Sequence, residues 1–154
     1  MRNANQYAVD TTILRATGVI TLVAIAAMHF LQIVVTFQGT PLLGLAYVGL
    51  ITACMALAGR LAIANDSRAW VGAGMLSVAI IVGYAFTRLI GTTFDNQDVG
   101  NWSCMLGLAT LFVEAALLAL SSFAIALEHA NHKSVDTSNV SQSEPLLKTS
   151  SSAA

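Results

Sequence analysis

Charge is what this sequence has least of. Only 10% of its 154 residues are Asp, Glu, Lys or Arg, against about 25% in an ordinary soluble domain. A chain so poor in charge cannot cover its surface with groups that water solvates. The net charge is -1, and no basic cluster of the kind that neutralises phosphates stands anywhere, so nucleic acid is excluded as a partner. Cysteine is scarce as well. Cys54 and Cys104 fall at different expected membrane depths, whereas a disulfide needs Cα atoms within about 7 Å. There is no Cys-x-x-Cys pair, no glycine-rich phosphate loop and no serine in a nucleophile setting. Enzyme activity is therefore not expected. No segment alternates with period two, which excludes a transmembrane β-barrel.

What is present is apolar. Ala, Val, Ile, Leu, Met, Phe, Trp, Tyr and Cys make up 56% of the chain, and the mean hydropathy is +0.71. From Ala16 to Gly59 there is no charge at all. That run is about twice the roughly 20 residues that cross a bilayer. Gln38-Gly39-Thr40-Pro41 divides it, since proline cannot continue a helix interior. Asn65-Asp66-Ser67-Arg68 forms a second break, where Asp66 or Ser67 can cap the next helix. Gly91 to Asn101 forms a third, with Asp95, Asp98 and no base. The pattern predicts an all-α membrane protein, a four-helix transmembrane bundle within residues 16–127. Its spans are expected at about 18–37, 42–64, 69–90 and 102–127. Residues 1–15 form an N-terminal segment. Residues 128–154, rich in Ser, Thr and Asn, are expected to be a disordered tail, because they cannot bury enough apolar surface to fold. Ala24-Ile25-Ala26 mimics a signal cleavage site, but the apolar segment continues well beyond it, past the usual h-region of about 7–15 residues, so it reads as a retained span.

Basic residues predict the orientation. Arg2 and Arg15 precede the first span, Arg60 and Arg68 flank the second break, and Lys133 follows the fourth span, while the other two connections hold no Lys or Arg. Lys and Arg favour the cytoplasmic side. Both termini are thus expected in the cytoplasm, with the acidic Gly91–Asn101 connection outside.

Polar side chains within the spans are few. His29, Gln32 and Thr36 share one helical face; Ser77, Tyr84 and Arg88 form a stripe on the third span; Gly107, Thr110, Glu114 and Ser121 form another on the fourth. An ionised group at the centre of a bilayer costs about 2.5–3.5 kcal/mol on the insertion scale, so such groups turn inward and find one another. The expected cluster is His29, Tyr84, Arg88 and Glu114. It reads either as a clamp that fixes helix register or as a proton-titrating, anion-binding or quinone-binding site. Small residues repeat every four positions, Ala79, Gly83, Thr87 and Gly91 on one span and Gly49, Ala53 with nearby Ala56 on another. Such rows are expected to be helix-packing seams.

No cofactor or metal is expected. A b-type haem between helices needs two axial ligands, and His29 is the one histidine inside a span. Met28, Met55, Met75 and Met105 with Cys54 show no copper-binding spacing. His129 and His132 beside Glu128 are too few for a closed zinc site.

Gly83-Tyr84-Ala85-Phe86-Thr87-Arg88-Leu89-Ile90-Gly91, followed by Asp98-Val99-Gly100-Asn101-Trp102, Leu106-Gly107 and then Glu114, resembles a family of small four-helix integral membrane proteins of actinobacteria. In that family a Tyr…Arg-x-x-Gly turn precedes an acidic loop, a Trp, a Leu-Gly and an intramembrane Glu. The resemblance implies the four-helix architecture and a plasma-membrane location, and no activity. The expected role is that of a small non-enzymatic membrane component, an accessory subunit of a larger assembly or a homo-oligomer. The alternative is a transporter-like or cofactor-binding protein that uses the His/Tyr/Arg/Glu cluster.

Overall fold

The computed structural model describes the backbone of residues 4–64, 66–90 and 99–151, and the side chains of 11–64, 66–90 and 99–130. All regular structure among these is helical: α1 Ala4–Gly39, α2 Pro41–Ile63, α3 Ser67–Leu89 and α4 Met105–Ser151. Each helix contains a stretch long and apolar enough to cross a membrane, namely Thr11–Gly39, Pro41–Ile63, Ser67–Leu89 and Met105–Ala130. At 1.5 Å per residue the shortest, of 23 residues, reaches about 34 Å, enough for a hydrocarbon core of about 30 Å. Four such helices have the length and composition that an integral membrane protein requires.

The α1–α2 turn narrows to one extended residue, Thr40, with Pro41 opening α2. Proline fits there because the first N–H groups of a helix have no intrahelical acceptor to lose. At the start of α3 the Asp66 carboxylate accepts from the Arg68 N–H at 3.0 Å and also pairs with Arg60 at the end of α2. The half-buried Arg15 of α1 reaches the other hairpin arm. Its Nε donates to the Leu61 carbonyl and its terminal nitrogen to that of Ala62, both at 2.9 Å. Those carbonyls belong to the last turn of α2, where no amide remains to bond them.

α1 packs extensively on α2, and α3 on α4. The α1–α4 seam joins the two pairs, and of these four packed interfaces that of α2 and α3 is the slightest. The core extends from the α2–α3 turn, where Leu61, Ala69, Trp70 and Ala73 are buried, and joins Leu22, Ile25, Cys54 and Leu117 in one cluster. Gly18 makes room for that indole: a Cβ there would stand 2.6 Å from the Trp70 ring. At the other end the slight α2–α3 contact leaves space.

The helices outrun the predicted spans at two ends. α1 begins at Ala4, and α4 continues to Ser151, where the sequence predicts a disordered tail from Glu128. Between Gly107 and Pro145 there is no glycine or proline, so no breaker ends the helix where the apolar pattern stops. The side chains beyond Ala130, Lys133 among them, and the loop acids Asp95 and Asp98 lie outside the described residues.

Candidate functional site

The spaces and polar groups converge at one place. A cavity of about 510 Å³ is bordered by His29 and Gln32 of α1, by Tyr47, Gly49 and Ala53 of α2, by Ala79, Gly83, Tyr84 and Arg88 of α3, and by Gly107, Thr110 and Glu114 of α4. That volume falls within the range of small-molecule sites. Leu50, Leu76 and Ile80 supply its apolar wall.

The small-residue rows do not act as the predicted seams. Gly49 and Gly83 face open space: a Cβ at either would meet nothing within 4 Å. Ala56 is exposed. The rows on α2 and α3 face one another across a gap, so missing side-chain volume becomes cavity instead of close backbone contact. Gly91 lies outside the described residues.

All four members of the expected cluster border this cavity, and they divide into two pairs. His29 Nε2 stands 3.9 Å from Glu114 Oε1. Arg88 lies over the Tyr84 ring, 4.9 Å from its centroid, in a cation–π arrangement. The sequence leaves open whether Arg88, His29, Tyr84 or a water meets the carboxylate; in the fold it is His29 that faces it.

Each side chain is held in place by its surroundings. His29 Nδ1 is 2.9 Å from the Ile25 carbonyl. A carbonyl can only accept, so Nδ1 carries a proton, and in the neutral ring Nε2 presents its lone pair toward Glu114. Tyr47 meets the imidazole edge-on, with ring centroids 5.0 Å apart. Gly107 lets Tyr84 lie against α4, since a Cβ there would come within 2.8 Å of the phenol. Trp102 packs edge-on to the same ring at 6.3 Å. The carbonyl of Arg88 accepts from Gly100 N–H at 2.9 Å, which fastens the end of α3 to the chain entering α4.

Glu114 is 1% exposed, and neither of its carboxyl oxygens has a hydrogen-bond partner among the described residues. The buried Tyr84 hydroxyl has none either. Buried polar atoms are nearly always bonded to something. Such groups together on one cavity mark a place where a ligand's polar atoms would be satisfied.

Comparison with protein-family models, with curated proteins and with solved structures finds no match for this chain. The resemblance to the small four-helix proteins rests on its motif residues. Of those, Tyr84, Arg88, Gly107 and Glu114 border the cavity, and Trp102 packs on Tyr84.

Sequence reasoning missed Tyr47 and Cys104, which also border the cavity. Tyr47 carried a usable signal, because a phenol in mid-span needs an inward partner as much as a histidine does. Cys104 carried none. Ser77 and Ser121, placed in the polar stripes, are buried but do not border the cavity. Ser121 packs near Gly74, whose Cβ would stand 3.4 Å from it. No group of three or more His, Cys, Asp or Glu side chains suited to a metal occurs among the described residues.

Proposed function

We propose that this chain is a non-enzymatic protein of the plasma membrane that holds a small amphipathic ligand in the cavity between its four helices. The observation that carries the reading is Glu114: a fully buried carboxyl group with neither oxygen hydrogen-bonded among the described residues, on a cavity shared with His29, Tyr84 and Arg88. A register clamp has no use for such a group. A clamp gains by satisfying its polar atoms across the interface, and α2 and α3, which border the gap, touch only slightly.

In this reading both termini are cytoplasmic. An even number of spans returns the chain to one side, and Arg15, Arg60 and Arg68 gather at the end where α2 passes to α3. The cavity then lies in the outer half of the bilayer and opens sideways between α2 and α3 toward the lipid. The surrounding bilayer is the chain's first partner. As an accessory subunit or a homo-oligomer it would present outward apolar faces, such as Phe30, Leu31, Val34 and Val35 of α1, to a neighbouring helix.

The test is retention of small molecules. Protein purified into lipid nanodiscs would be extracted with organic solvent and the extract compared by mass spectrometry with that of Gly83→Leu, which fills the open space. A species held by the wild type at near-stoichiometric amount and lost in the variant supports the reading. Equal retention by both overturns it.

A further inference from the structure

We propose that the ligand is a lipophilic organic cation, an ammonium group on an apolar body, and that its charge takes the place of one proton on the Glu114–His29 pair. This rests on the reading of the cavity as a ligand site. The charged and titratable groups around Glu114 come from every helix: His29 of α1, Tyr47 and Cys54 of α2, and Tyr84 and Arg88 of α3, with Cys104 at the start of α4. Arg88 is engaged with the Tyr84 ring. The oxygens of Glu114 are not engaged by any donor among the described residues. The unmet demand at Glu114 is therefore for positive charge or a donor.

The proton count follows from the tautomer. With Nδ1–H held by the Ile25 carbonyl, one further proton resides either on Nε2 or on the carboxyl, and in both forms the pair is neutral. A bare carboxylate beside neutral imidazole would leave the pair itself with a net charge inside the bilayer, which is costly. A cation entering beside Glu114 supplies that charge, so the shared proton departs and neutrality is kept. The 3.9 Å gap between Nε2 and Oε1 is longer than a hydrogen bond, so no bond between them opposes the exchange. The Tyr47 ring offers an aromatic surface that attracts ammonium groups, as the Tyr84 ring already attracts the Arg88 guanidinium. Leu50, Leu76 and Ile80 receive the apolar body, and the small residues Gly49, Ala79 and Gly83 leave its path from the lipid clear.

Calorimetric titration of the nanodisc-embedded protein with benzyltrimethylammonium, and with its neutral carbon isostere neopentylbenzene, tests this. The expected result is saturable binding of the cation and binding of the isostere about tenfold weaker or less. Cation affinity should fall by about tenfold per pH unit on the acid side, where the proton must be displaced, with one proton released per cation in weakly buffered solution. Glu114→Gln and Gly83→Leu should each abolish binding. If the isostere binds as well as the cation and Gly83→Leu abolishes both, the cavity is a ligand site but the cation inference is overturned. If Gly83→Leu changes neither probe binding nor retained molecules, the ligand-site reading itself fails. The comparison of the two probes on wild-type protein needs no variant to fold.

Discussion

His29 Nε2 and Glu114 Oε1 face each other at 3.9 Å across the α1–α4 seam, each nearly inaccessible to solvent. The ring is fixed from behind by the Ile25 carbonyl and from the side by Tyr47, so it cannot turn away to relieve the carboxyl group. The two residues should therefore act as one unit. His29→Ala is expected to lower stability by about 3 kcal/mol, because it strands a buried ionisable partner. In a Glu114→Gln background the same change should cost less, with a coupling energy of about 1 kcal/mol. A double-mutant cycle of unfolding in mixed micelles measures both quantities. Additive effects would mean that the pair is only a pair of neighbours.

Two glycines near Tyr84 should respond with opposite sign. Gly83 sits in a helix with open space before it, and alanine is favoured over glycine in a helix interior by about 0.5–1 kcal/mol. Gly83→Ala should stabilise by that amount. Gly107 has the Tyr84 phenol within 2.8 Å of its Cβ position, and overpacking costs about 1–3 kcal/mol. Gly107→Ala should destabilise, and Tyr84→Ala in the same chain should remove the clash. Unfolding midpoints of the four proteins in one detergent decide it.

The four long helices were legible because a hydropathy pattern reports where the chain meets lipid, and Gln38–Pro41 and Asn65–Arg68 are strong breakers. The predicted 42–64 and 69–90 lie within about two residues of Pro41–Ile63 and Ser67–Leu89. The outer limits of α1 and α4 were not legible, since a helix does not stop at the edge of the apolar region unless something breaks it. The polar cluster could be assembled from cost alone: four groups that hydrocarbon solvates badly, on inward faces. Their pairing could not, because depth estimates do not resolve whether Arg88 reaches Glu114 or turns onto Tyr84. The cavity was hidden for a different reason. A row such as Ala79-Gly83-Thr87 is the same string whether the facing helix closes on it or stands off, and only the slight α2–α3 contact distinguishes the two.

Arg15 does more than mark a membrane side. Its guanidinium donates to the Leu61 and Ala62 carbonyls at 2.9 Å, tying α1 to the end of α2. Hydrogen bonds from charged groups are worth about 1.5–3 kcal/mol, and the fork of an arginine serves two carbonyls where a lysine offers a point charge. Arg15→Met should lower the unfolding free energy by about 2 kcal/mol, and Arg15→Lys should recover only part of it. Full recovery by lysine would show that charge at the α2 terminus is sufficient without the paired bonds.

The proposed orientation makes opposite demands on two exposed serines. Ser67 opens α3 at the end where Arg15, Arg60 and Arg68 gather, and Ser103 precedes α4 at the other end, beside Trp102. An α3 of 23 residues spans about 34 Å, so the two positions lie on opposite faces of any bilayer the helix crosses. Introduced singly into a chain lacking Cys54 and Cys104, Ser103→Cys should react with a membrane-impermeant maleimide on intact cells. Ser67→Cys should react only after permeabilisation, because the arginines hold that end in the cytoplasm. The reverse pattern would invert the protein and place the cavity in the inner half of the bilayer. Labelling of both positions on intact cells would contradict a membrane-spanning α3 altogether.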